Sequence, residues 1–220
     1  MGKLEQGAKA LSQTAEFGLV VGGVFALPVL ASLWTTFSDI PPAVAVRFTN
    51  EDLRALIVWE AGVLLALGWF LRVRGWSVAH FSAYPTWLEF AQAVALTIAS
   101  YFAWFVTWQL LAPDEALELG GGSGVDWGLI LATSILNPLF EELVLCAYMI
   151  PTLARRWGLA AALAVSLAVR VSVHTYQGLP GVVWIALIGL IFSLFYARSQ
   201  RLWPVLIAHG VLDFIGLANA

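Results

Sequence analysis

The chain has 220 residues, 60% of them hydrophobic and 11% charged, with a formal net charge of −3 and a mean hydropathy of +0.84. Soluble domains carry about 45–50% apolar and ~25% charged residues, so this composition belongs in a lipid bilayer. The small, scattered charge speaks against nucleic acid and against a basic lipid-binding patch, and the single cysteine, Cys146, excludes an intrachain disulfide.

Residues 1–18, MGKLEQGAKALSQTAEFG, are mixed in charge rather than compactly basic, which argues against a cleaved signal peptide. Seven apolar runs follow, at roughly 17–37, 53–72, 89–112, 127–150, 159–178, 181–197 and 203–218. Each approaches the ~20 helical residues that a bilayer core demands. The sequence therefore predicts an all-α, polytopic membrane bundle of about seven helices (six to eight) with an active-site cavity inside it. Residues 1–220 read as a single integral membrane domain in contact with membrane lipids.

Lys3 and Lys9 precede the first run, Arg72 and Arg74 follow the second, Arg155 and Arg156 the fourth, and Arg198 and Arg201 the sixth. All four pairs fall on one face. The linker after the third run holds Asp114, Glu115, Glu118 and Asp126 without a cation, so the positive-inside rule puts the amino terminus in the cytoplasm. Arg47 and Arg54 in the first linker conflict with this assignment. Trp34, Trp76, Trp87, Trp127, Trp157 and Trp203 lie close to predicted helix ends and read as interfacial anchors. The segment Leu119–Gly124, LGGGSG, reads as a flexible linker without chemistry.

The fourth run carries two adjacent acids, Glu141 and Glu142, in its second half. Intramembrane acids are expensive and face a protein interior or a wet cavity. Neighbouring helical positions differ by ~100°, so two other helices must supply their partners. The chain offers His174, and His209 with Asp213 at an i, i+4 spacing that puts both on one side of a helix. Taken singly, these histidines read as satisfied core residues; the structural alternatives are a buried hydrogen-bonded pair or protonated lipid-facing acids for the glutamates, and a polar interface residue at a helix end for Asp213. Taken together, the five read as one site in which a desolvated glutamate acts as general base. Arg170, one turn before His174, must be paired, either with Glu141 or Glu142 or with a substrate carbonyl or carboxylate. Glu60 in the second run reads as structural or cavity-lining. One count is awkward: at 1.5 Å per residue from the basic ends, His209 lies roughly 9 Å deep, Glu141 roughly 14 Å and His174 more than about 20 Å. Aligning them needs a late or tilted fifth helix, or a Gly178–Gly181 turn that dips inward.

With these residues in place, the sequence resembles the CPBP family of intramembrane proteases, which includes the CAAX-processing endoproteases and the Abi bacteriocin-processing proteins. The family's EExxxR motif is answered by Glu141 and Glu142, its FxxxH by His174, and its HxxxN or HxxxD by His209 and Asp213. The surrounding NPLFEE (with Asn137), HTYQG and LWPVLIAHGVLD agree, and the resemblance covers residues 126–216 as a motif-bearing core. It implies hydrolysis of a peptide bond in a peptide or membrane-protein substrate, at or within a bacterial inner membrane. Glu141 would activate water, His174 would position it, His209 with Asp213 would stabilise the oxyanion or carry a proton, and Glu142 would tie the group to Arg170. No cofactor is expected. If a metal is used, it is zinc on Glu141, His174 and His209, because two imidazoles and a carboxylate can hold it. The chain departs from the family twice, with Cys146 where the first motif has arginine and Arg170 where the second has phenylalanine. Either the cation has moved from the fourth helix to the fifth, or the chain is a catalytically inactive relative that binds a membrane-complex partner. A proton-relay transporter is a third reading, disfavoured by the lack of inverted repeats.

Overall fold

The computed structural model describes residues 11–38, 47–76, 85–113 and 124–219. Lys3, Lys9, Asp114, Glu115, Glu118 and most of the 119–124 linker lie outside them. Among the described residues the chain is all-helical, a polytopic bundle of α1 (Gln13–Thr36), α2 (Asn50–Val73), α3 (Trp87–Leu111), α4 (Trp127–Trp157), α5 (Leu159–Ser172), α6 (Gly178–Ser199) and α7 (Trp203–Ala218). Local sequence fixes the starts. Ser12 caps α1, Thr49 with Asp52 and Thr86 with Glu89 form reciprocal capping boxes on α2 and α3, and Asp126 accepts from the Gly128 and Leu129 N–H groups at α4.

Four of these helices, and α6 together with the single 3-10 turn before it, are long and apolar enough to cross a membrane; α5 and α7 are shorter. The 14 residues of α5 rise only about 21 Å, short of a ~30 Å hydrocarbon core. The chain therefore turns back inside the bundle. The fourth helix lies at the centre: over half of its apolar window is buried, against a third or less in α1, α2, α3 and α6. Along it pack α2, α5 and α7, while α3 packs on α6 and α7.

Two details of α4 set its register. It is α-helical over Trp127–Glu142 and Ile150–Trp157 but π-helical over Leu143–Met149. Widening the turn breaks the regular i→i−4 ladder, and the Ser166 hydroxyl of α5 donates to the Leu145 carbonyl at 2.8 Å. Pro138 has no N–H to offer the Ser134 carbonyl one turn back. Helix α7 closes on that carbonyl with a glycine: a Cβ at Gly210 would lie 2.5 Å from the Ser134 oxygen. The neighbouring His209 is thereby drawn against α4.

The helix also continues seven residues beyond its predicted end at 150, to a turn at Gly158 whose φ of 82° suits glycine. The α4–α5 hairpin is symmetric about this glycine. Cys146 and Arg170 each stand twelve residues from it, and Glu142 and His174 sixteen. The predicted mismatch in depth between Glu141 and His174 thus came from cutting α4 short. The inward turn lies at Val173–Gln177, before Gly178, rather than at Gly178–Gly181.

Arg74, Arg156 and Arg201 lie at one end, whereas Arg47 and Arg54 lie at the other, around the start of α2. Arg74 pairs with Glu16, Arg156 donates to Thr14 Oγ1 at 2.6 Å, and Arg201 lies 3.5 Å from Glu89. Asp126 and Asn50 meet at the other end, through a 2.8 Å bond from the Asp126 N–H. Trp34, Trp87, Trp127 and Trp157 are exposed at helix ends, as anchors require. Trp76 is not an outward anchor: its indole lies 5.2 Å from the Tyr148 ring and donates to Glu16 at 3.4 Å.

Candidate active site

Buried polar side chains from three helices meet beside the π-helical segment. Arg170 of α5, 1% exposed, reaches both acids of α4: Nη2 lies 2.6 Å from Glu142 Oε2 and Nη1 lies 3.3 Å from Glu141 Oε2. His209 of α7 pairs through Nδ1 with Glu142 Oε1 at 2.7 Å. Its Nε2 faces Asp213 Oδ1 at 3.4 Å, one turn along the same helix. Asn137 of α4 donates to the other oxygen of Asp213 at 2.8 Å. The Cys146 thiol donates to Glu142 Oε2 at 3.1 Å. All eight residues singled out in the sequence therefore belong to one connected group, His174 through the contacts described next.

His174 sits where the sequence did not put it. It follows the end of α5, in the turn before the 3-10 segment Thr175–Gln177. Its Nδ1 meets the Arg170 carbonyl at 2.8 Å, satisfying one of the backbone oxygens that a helix C-terminus leaves free. Read with Nδ1 as donor, this bond leaves Nε2 as an acceptor, and Nε2 faces Glu141 Oε1 at 3.9 Å. The turn is fastened to α1: Thr175 Oγ1 shares hydrogen bonds of 2.8 Å with both Ser32 and Thr36.

The two glutamates differ in what remains free. Glu142 is fully buried and both its oxygens are engaged at 2.6–3.1 Å. Among the described residues, Glu141 has only the 3.3 Å contact to Arg170 and the 3.9 Å gap to His174. A polar gap of this width is what one bridging water spans. His174 and Asp213 keep 15% and 21% of their side chains exposed, against 8% or less for the others in these ion pairs, so the group is approached past these two. An apolar groove of about 410 Å³ on α6, lined by Ile191, Leu194, Phe195, Arg198 and Ser199, lies apart from it.

Donor atoms of Glu141, Glu142 and His209 lie close enough to share an ion, and His174 is not in that group. Glu142 and His209 already spend their atoms on each other, and a divalent cation would share the pocket with the guanidinium 2.6 Å from Glu142.

Gly189, Ser166 and Gly210 were invisible to motif reading. A Cβ at Gly189 would lie 2.6 Å from Arg170 Cδ and 3.1 Å from its Nε, so α6 makes room for the guanidinium by having no side chain there. The only cue in the sequence is a glycine inside an apolar run, which is too common to single out.

Fold and site together define an integral membrane protein built around a buried carboxylate–imidazole–guanidinium centre. Residues 123–215 match the family model described as Rce1-like, type II CAAX prenyl endopeptidase Rce1-like. That region carries all eight residues, so the motif resemblance to the CPBP and CAAX-protease family is shown over residues 123–215, the segment that holds the centre. No curated protein and no solved structure matches the chain.

Proposed function

We propose that the chain is an intramembrane endopeptidase in which Glu141 activates a water held between its Oε1 and His174 Nε2. The observation that carries this reading is the asymmetry of the pair. Glu142 is saturated by His209, Arg170 and Cys146, whereas Glu141 keeps an unshared oxygen facing an imidazole nitrogen across a water-sized gap. A base must reach the proton it removes directly or through one water. As the scissile carbonyl is attacked, charge develops on its oxygen, and the donors proposed to meet it are the imidazole of His209 and the amide of Asn137, which both face the partly exposed Asp213. Arg170 keeps two neighbouring acids compatible with burial, the role the family gives to the arginine of its first motif.

No metal takes part in this scheme, because Glu142 and His209 already pair with each other and Arg170 brings a cation to both glutamates. Chelators should leave cleavage unchanged, and stoichiometric zinc in active preparations would contradict that. The family model makes prenylated carboxy-terminal tails the first substrates to try, with leader peptides and membrane-protein segments beside them. The end that holds Arg74, Arg156 and Arg201 faces the cytoplasm in this reading, as in a bacterial inner-membrane protein. Residues 1–220 act as one membrane domain.

The competing reading, an inactive membrane subunit, rests on Cys146 standing where the motif has arginine. The contacts of Arg170 with both glutamates weaken it, since the missing charge is supplied from α5. Purified protein in bilayers, offered a membrane-peptide library, decides between them. The protease reading expects cleavage that Glu141→Ala abolishes. Cleavage unaffected by Glu141→Ala, or no cleavage together with a stoichiometric co-purifying partner, would overturn it.

A further inference from the structure

We propose that Glu60 of α2 is a water-positioning residue of this same centre, and that with Thr133 it holds the water file that resupplies Glu141. This rests on the hydrolytic reading above. Buried positions on α2 recur at Leu53, Glu60, Leu67 and Leu71, the stripe it turns inward, and α2 packs along α4. Glu60 is 1% exposed and within electrostatic reach of Glu141, Asp213 and His209.

Glu60 Oε2 and the Thr133 hydroxyl are both buried, and neither has a hydrogen-bond partner among the described residues. Buried polar atoms without partners are costly. Water is what satisfies such groups, typically through about three bonds each. On α4, Thr133, Asn137 and Glu141 follow at i, i+4 and i+8, so they form one polar stripe ending at the free oxygen of Glu141. With Glu60 on α2 and Asp213 on α7 beside it, the stripe is a polar track through an apolar bundle. The Glu16 centre differs, because there each donor ends on the carboxylate. None of the family motifs includes Glu60, and the family match begins only at residue 123.

The test uses the full chain in bilayers with Glu60→Gln and Glu60→Leu. Glutamine keeps the hydrogen-bonding atoms, so its kcat should stay within about threefold of wild type. Leucine cannot hold water; kcat should fall at least ~tenfold with KM within about twofold. The melting temperature should hold or rise in the leucine variant, because an apolar group replaces an unpartnered polar one. A second readout needs no turnover. In water-edited solid-state NMR, polarisation from water should build up at Glu60 and Thr133 as fast as at Glu141, and more slowly at the buried Ile130. Build-up at the rate of Ile130 overturns the proposal. So does wild-type kcat in Glu60→Leu, or equal loss in both variants with a lowered melting temperature. If the wild-type protein cleaves nothing, the hydrolytic reading fails by itself, and the NMR comparison still decides whether water reaches Glu60.

Discussion

Two buried acid–guanidinium centres share α4, and they are built to different rules. Near the basic end, the carboxylate of Glu16 receives Arg74 on Oε2, with Trp76 at 3.4 Å and the Tyr148 hydroxyl at 3.2 Å on Oε1. One acid of α1 meets three donors, two from the segment after α2 and one from α4, with both of its oxygens engaged. In the middle of the bundle, two glutamates and an aspartate share one guanidinium, one imidazole, one amide and one thiol, and a second imidazole stands 3.9 Å off. A saturated cluster fixes helices against each other. An unsaturated one keeps capacity for water and substrate, and that surplus distinguishes chemistry from structural support.

The largest effect that tests this contrast is expected at Arg170. Removing one partner of a buried ion pair leaves uncompensated charge and costs ~3–5 kcal/mol, so Arg170→Leu should lower folded yield and the unfolding temperature sharply and abolish cleavage. Adding Cys146→Arg to Arg170→Phe restores the family's placement of the cation and should recover part of both. Normal unfolding and activity in Arg170→Leu would show that the glutamates are balanced by something else. A smaller loss is expected at Gly189→Ala, whose Cβ would press on Arg170 and lie 2.9 Å from Leu167 Cδ1. Overpacking of that kind costs ~1–3 kcal/mol, and a displaced guanidinium should lower kcat about tenfold, measured at matched folded protein. At the saturated centre, Glu16→Gln should cost ~1–3 kcal/mol in thermal unfolding and leave kcat unchanged. A kcat loss there without a stability loss would erase the distinction between the two regions. Smallest is Cys146→Ser, which keeps a donor toward Glu142 and should shift stability by less than about 1 kcal/mol.

Much of this arrangement was legible in the sequence. Length and hydropathy give the seven helices, because a bilayer leaves the backbone few alternatives. The residues of the centre stand out because acids, histidines and an arginine in apolar runs are too costly to be incidental. The turn at His174 was not legible. The stretch 159–178 is apolar enough to pass for one span, and the turn is held by contacts distant in sequence, from Thr175 to Ser32 and Thr36. The π-helical segment was hidden for a related reason: LVLCAYM suits either helix type, and the Ser166 hydroxyl that takes the Leu145 carbonyl comes from across the hairpin. Apolar pattern also could not tell Trp76 from a surface anchor, because its partners Glu16 and Tyr148 lie on other helices.

The central claim is that the adjacent glutamates have different duties, one held and one free. Single-turnover cleavage by Glu141→Gln and Glu142→Gln, each at equal folded protein with its unfolding temperature recorded, tests it most directly. The account predicts that Glu141→Gln loses about 10³-fold or more in rate, within the range of a lost general base, while unfolding near the wild-type temperature. Glu142→Gln should lose stability as well as rate, because His209 and Arg170 lose their shared anion. A Glu141→Gln enzyme within tenfold of wild type would contradict the account.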